Sequence, residues 1–224
     1  MEFEGQQKAL LLKARLAASE KSIVTLQFWL GERPLSVTSF WRQGPLLIRP
    51  AIATAVLNLA ANDRLILSPY SAPDHHRTIN GRDISLSAQQ VIYLDYVLTG
   101  RTRDHALLDR NWRGHSLSRI AVELSAQESF EVISTWFDTY SFRGFVTPLA
   151  SPVDLEVLAD IQMEPVEPFD PVRLPEGVSW FEDADDGCAL RIHSAAWTVD
   201  EIERRLRLPE LDAVLAKVPL AASN

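Results

Sequence analysis

A chain of 224 residues, 46% hydrophobic and 23% charged, has the composition of an ordinary globular protein. A chain of this length buries roughly 70% of the surface that its unfolded form exposes, so its core needs neither a disulfide nor a metal. Disorder, collagen and coiled coil are excluded as descriptions of the whole. The net charge of −8 is opposite in sign to that of a free-standing nucleic-acid binder, which has to neutralise phosphates.

The charge is unevenly spread. Residues 1–120 carry 15 Lys/Arg against 10 Asp/Glu, and residues 121–224 carry 7 against 20. Within the acidic half, residues 151–186 hold 11 acids and a single base, Arg173. Either the two halves attract each other, within the fold or between subunits, or the acids face a charged partner. One cysteine, Cys188, permits no internal disulfide and no cysteine-based metal site. Lone-cysteine usage suits a reducing compartment. The N-terminal apolar run stops at Lys13, and the longest apolar stretch, Pro50 to Ala61, is too short to span a bilayer. The expectation is a cytoplasmic chain without a membrane anchor.

In chain order, residues 3–20 read as an amphipathic helix with Phe3, Leu10, Leu11 and Ala14 on one face. Ile23–Leu30 is β-branched and aromatic and reads as a strand, followed by a turn at Gly31-Glu32-Arg33-Pro34 and a return strand over Leu35–Trp41. Pro50 opens a helix to Ala61, and Leu65–Leu67 is a short buried strand. Residues 68–83 read as a polar loop containing Asn80-Gly81. Ser87-x-x-Gln90 caps a helix over Val91–Leu98, which Gly100 ends. Residues 101–116 are basic and polar, and alternation of Ile120, Val122 and Leu124 predicts a strand over 118–124.

Ser125-x-x-Glu128 caps the next helix, which runs to about Tyr140 with Phe130, Ile133, Trp136 and Phe137 on its apolar stripe. Prolines 165, 168 and 171 recur every third residue, the repeat of polyproline II, so residues 161–177 read as a stiff acidic connector. Val178–Glu182 and Cys188–His193 form a hairpin over Asp185-Asp186-Gly187. Thr198 then caps one helix and Pro209 starts another. Helices and strands do not alternate regularly, which predicts an α+β fold with a mixed or antiparallel sheet rather than a doubly wound one. The domain reading is a main body over 1–160, the connector over 161–177, and a C-terminal hairpin and helix pair over 178–224, separate or part of the same fold.

Several short patterns bear on chemistry. Gly114-His115-Ser116-Leu117-Ser118 resembles the nucleophile elbow of α/β-hydrolases, with Ser118 where that family has its second glycine. The resemblance implies Ser116 as nucleophile and His193 as base, with Asp138, Asp154 or Asp170 between them in chain order. Asp74-His75-His76 resembles the Asp-His-His motif of a phosphoesterase family, which implies a water-activating divalent metal. Both patterns are also ordinary surface loops, and neither comes with the flanking elements that its chemistry needs. Asp183, Asp185 and Asp186 form an acidic cluster that suits turn chemistry and solvation, and the twelve-residue calcium pattern is absent there. Arg110 and Arg113 flank Trp112 in a stretch that combines guanidinium forks with an aromatic. Gly-rich phosphate loops are absent, so no nucleotide cofactor is expected.

The expected function is that of an interaction protein rather than an enzyme. The acids Glu164, Glu167, Asp170, Asp183, Asp185 and Asp186, with Arg110, Trp112 and Arg113, form its candidate contact set. Its partner is another protein of basic character, as for a small acidic neutraliser of a basic toxin or effector; an adaptor or chaperone is the other form. A homo-oligomer fits the charge segregation, and no cofactor, membrane or nucleic acid is expected. The alternative is a small hydrolase using Ser116 and His193, or a metal at Asp74, His75 and His76.

Overall fold

The computed structural model describes residues 12–19, 23–30, 33–34, 48–69, 75–112, 115–136, 143–161, 174–184, 189–194 and 196–216. The chain is α+β. The strands are β1 (Leu12–Ser19), β2 (Ile23–Leu30), β3 (Arg33–Pro34), β4 (Asp63–Leu67), β5 (His75–Ile79), β6 (Arg82–Leu86), β7 (Thr102–Trp112), β8 (His115–Leu124), β9 (Arg143–Pro148), β10 (Ser179–Ala184) and β11 (Ala189–Ser194). The helices are α1 (Arg49–Leu59), α2 (Ala88–Ile92), α3 (Ala126–Trp136), α4 (Leu155–Asp160), α5 (Val199–Leu206) and α6 (Leu208–Leu215). One sheet runs β1-β2-β11-β10-β9-β4-β8-β7, and β3 adds a two-residue bridge to β2. Every strand pair in it is antiparallel.

Alternation decides which side chains go where. On one face Val24, Leu26 and Phe28 of β2, Leu190 and Ile192 of β11, Phe181 of β10 and Val146 of β9 point into the larger core. Helices cover that face: α1, α3, α5 and α6 contribute Ile52, Val56, Leu59, Ile133, Ile202, Leu206, Leu211 and Leu215, and α2 contributes Ile92. α1 is buried nearly all round, because it lies between the sheet and its helical neighbours. The opposite face carries a smaller core in which Leu155, Leu158 and Ala159 of α4 pack on Ile66, Ala106, Ala121, Phe145 and Trp180.

The C-terminal helices are tied down by one arginine. Arg205 donates to the α1 carbonyl of Leu59 at 3.0 Å, to Asp63 at 2.7 Å and to Glu201 at 3.0 Å, and lies 4.1 Å above the Trp197 ring. Its carbonyl contact satisfies an orphan acceptor at a helix C-terminus. Asp212 of α6 accepts the backbone N–H of Ala14 at 2.9 Å, so a helix side chain occupies part of the outer edge of β1.

Several sequence expectations are met in place. The strand over Ile23–Leu30 has those bounds. Pro50 lies in the first turn of α1, and Thr198 accepts the N–H of Glu201 at the start of α5. The Ser87–Gln90 capping box is reciprocal. The C-terminal hairpin lies between β2 and β9, so residues 179–194 are central strands of the sheet that residues 12–148 otherwise build.

Other expectations are corrected. Over Leu12–Ser19 the predicted helix is strand β1, and residues 1–11 lie outside the described part. Its apolar residues fit periods of 2 and of 3.6 over so short a stretch, and pairing of all eight residues with β2 selects the first. The predicted loop over 68–83 contains the hairpin β5–β6, and Asn80 and Gly81 both have positive φ (53° and 76°), as a type I′ turn requires. The basic stretch 101–116 is mostly strand, β7 paired with β8. The helix over 91–98 continues α2 as a wide turn over Tyr93–Val97, where the Leu98 N–H reaches back to Tyr93 at 2.9 Å. On α3, Ser129 is buried with Val132 and Ile133 while Phe130 is 37% exposed, so the stripe is rotated from the one the sequence suggested. The return strand over Leu35–Trp41 lies outside the described residues.

Gly144 marks the tightest point of the sheet. A Cβ there would overlap the Phe181 ring and lie 2.8 Å from the Ile66 carbonyl oxygen. The Gly144→Ala variant should therefore lose about 2–3 kcal/mol in urea unfolding. Adding Phe181→Leu should recover part of that loss relative to Phe181→Leu alone. Additive losses in the double variant would mean that the ring is not the obstacle.

Candidate functional site

The chemistry-bearing side chains that the described fold brings together lie on the face that α4 shares. Antiparallel register aligns Thr25 of β2, Arg191 of β11, Glu182 of β10 and Arg143 of β9 in one row across four strands. Arg191 donates to Glu182 at 2.9 Å, and the Arg143 Nε lies 3.8 Å from the other oxygen. The Arg191 side chain is 41% exposed, whereas Glu182 and Arg143 are 15% and 7% exposed. Burial pushes the Glu182 carboxyl above its ordinary value, and the two guanidiniums pull it back.

The neighbouring row holds Ile23, His193, Trp180 and Phe145. The imidazole of His193 lies 4.1 Å from the Trp180 ring, tilted by 38°. Burial, with Arg191 adding to it, lowers His193 to about 4, so the ring is neutral near neutral pH. A neutral imidazole and a carboxylate between two guanidiniums thus lie in adjacent rows of one sheet face. At the far end of the same face, Arg15 lies 4.4 Å above the Trp29 ring.

The hydrolase pair is not brought together. Ser116 lies on β8 opposite Asn111, near the β7–β8 turn, and His193 lies on β11. Four strand steps separate β8 from β11, a lateral distance of about 19 Å. The elbow also needs a strand followed by a helix, whereas Ser116 sits inside a hairpin. Of the three acids that could complete that set, Asp154 is the N-cap of α4 and accepts the Glu156 N–H at 2.9 Å. Asp138 and Asp170 lie outside the described residues.

His75 and His76 are consecutive residues of β5, opposite Leu86 and Ser85, so their positions alternate between faces. Asp74 lies outside the described residues, and no group of three or more metal-ligating side chains occurs among the described ones. Arg110 and Trp112 occupy the end of β7 and Asp183 lies on β10 opposite Leu190. Arg113, Glu164, Glu167, Asp170, Asp185 and Asp186 lie outside the described residues.

Sequence reasoning missed Arg143, Arg191 and the role of Glu182. The signal for Arg191 was available: Arg191 and His193 alternate with the buried Leu190 and Ile192. Nothing local to residue 143 announces that it will face Glu182, because the pairing of β9 with β10 is set 39 residues later in the chain. Comparison with known proteins finds no matching family model, no matching curated protein and no matching solved structure.

The His193 environment predicts an acid-sensitive stability. Unfolded histidine takes up its proton near pH 6.5 and folded His193 near 4, so the unfolded chain holds more protons between them. The contribution is fully present above pH 6.5 and is lost as the pH falls towards 4, by up to about 3 kcal/mol. Glu182, whose carboxyl is raised, acts in the opposite sense and limits the fall. Thermal unfolding across this window should show a steeper decline for the wild type than for His193→Gln. Parallel profiles would mean that the buried imidazole titrates normally.

Proposed function

We propose that the protein is an interaction module that binds a basic protein partner through its acidic surplus, as a small neutralising protein or an adaptor would. The observation that supports this reading is the acidic surplus that remains once the arginines of the basic half are paired. Arg49 donates to the Thr135 carbonyl at 3.0 Å, near the end of α3. Arg64 pairs with Glu123 at 2.6 Å, Arg77 grips Asp95 with both nitrogens, and Arg101 reaches Glu128 and Glu131 at 3.1 Å each. Between described residues, the ion pair that joins this half to the acidic run 151–186 is Arg119–Asp160. Arg64, Arg101 and Arg119 thus pair with acids of residues 121–224, so attraction between the halves takes up part of the segregated charge, and 20 acids against 7 bases in that half leave a surplus for a partner in this reading.

Within the acidic run the fold employs Asp154 as a helix cap, Asp160 with Arg119, and Glu182 with Arg191. Of the eight other acids of the run, Glu164, Glu167, Asp170, Asp183, Asp185 and Asp186 are the ones assigned to the partner in this reading. Exposed charges of one sign raise the association rate and fall in influence as salt rises. The hydrolase alternative is not pursued, because Ser116 and His193 are four strands apart.

Affinity capture from the source lysate, read by mass spectrometry, tests the proposal. The full chain should retain one stoichiometric basic partner at low salt and lose it at high salt. The variant combining Glu164→Lys, Glu167→Lys and Asp170→Lys should associate with the purified partner at least about tenfold more slowly at low salt. An unchanged association rate would overturn the acidic-surface reading.

A further inference from the structure

The two edges of the main sheet differ. The β1 edge is partly occupied, since Asp212 of α6 takes the Ala14 N–H. The opposite edge, β7, is the longest strand, with 11 residues, and nothing pairs with its outer side among the described residues. A long free edge is a template for another strand. Edge strands are commonly guarded by charge, and β7 carries Arg103, Asp104 and His105, all exposed.

The order of these residues makes the strand complementary to itself. In antiparallel pairing about Leu107, position 104 lies opposite 110, 105 opposite 109, 106 opposite 108, and 107 opposite itself. Asp104 then meets Arg110, His105 meets Asp109, and Ala106 meets Leu108, with each pair occurring twice by symmetry. Neighbouring registers lose this match. Centring on Leu108 sets Leu107 against Asp109 and Ala106 against Arg110. Centring on Ala106 keeps one charge match, but it uses Arg103, which lies at the irregularity between Thr102 and Asp104. Pairing about a residue keeps each side chain on its own face, so both copies' helical layers stay on one side of the joined sheet.

We infer that β7 is a self-association edge, through which two copies of this chain join antiparallel about Leu107 into one continuous sheet. Leu107 is 37% exposed in the single chain and is covered in the pair. The Asp104 side chain is 59% exposed, with Arg64 at 3.7 Å and the His105 N–H at 2.9 Å as its contacts within the chain, and it remains available to Arg110 of the second copy. The pairing uses none of the acidic residues assigned to partner binding, so the combined reversal at 164, 167 and 170 should leave the dimer intact.

Sedimentation equilibrium of the full chain at high micromolar concentration should report a dimer. Leu107→Lys, which places two ammonium groups on the symmetry axis, should yield monomers with unchanged circular dichroism. Asp104→Arg and Arg110→Asp should each weaken the dimer about tenfold, since like charges then face each other twice. The double exchange Asp104→Arg with Arg110→Asp should restore it, which a folding defect in either single variant would not do. Leu107→Cys in a Cys188→Ala background should form an intermolecular disulfide on mild oxidation. A wild-type monomer would overturn the inference, and so would a dimer that the double exchange fails to restore or that Leu107→Cys fails to cross-link.

Discussion

The sheet depends on the last hairpin of the chain being placed in its middle. β11 pairs with β2 on one side, and β10 pairs with β9 on the other. Without that hairpin, the pair β1–β2 and the set β9-β4-β8-β7 share no strand contact. Gly144 is the steric condition for it, because the Phe181 ring of β10 lies where a side chain of β9 would stand. Long-range pairing of this kind carries a loop-closure cost before any contact forms, so the sheet is completed only once the C-terminal quarter of the chain is in place. The helices that follow seal it: Arg205 holds α5 to the end of α1, and Asp212 holds α6 to β1.

That topology also sets the electrostatics. The arginine row across β9, β10 and β11 exists because strands distant in sequence lie side by side. Glu182, although buried, sits between Arg143 and Arg191, and pairing rather than hydration compensates its charge. His193 sits in the next row against Trp180 with no carboxylate opposite it in that row, and burial therefore keeps it neutral. Elsewhere Arg77 pairs with Asp95 inside the basic half, whereas Arg64 pairs across the halves with Glu123. The net charge of −8 that such pairing leaves is the charge that the proposed partner binding would use.

The two sheet edges show how one feature can restrain or promote association. At β1 a helix carboxylate takes an outward N–H, which removes a donor that an incoming strand would use. At β7 the run from Arg103 to Arg110 is palindromic in charge, with Asp104 and Asp109 inside the two arginines, which is the basis of the proposed pairing with a second copy.

Elements whose pattern is strong and local were legible in the sequence. The strand Ile23–Leu30, the capped helices α2, α3 and α5, the proline-led α1 and the hairpin β10–β11 all follow from side-chain alternation, capping residues and proline positions, which act within a few residues of chain. Asn80-Gly81 is equally informative, since both residues take the positive φ of a hairpin turn. Tertiary structure alone decided β1, whose short pattern fits helix and strand alike until β2 pairs with it. It alone separated Ser116 from His193, because chain order carries no information on strand order. It alone set Arg143 against Glu182. Local propensity determines the strongly patterned elements; ambiguous ones such as β1, and which side chains meet, are determined by pairing between strands, much of it between segments far apart in the chain.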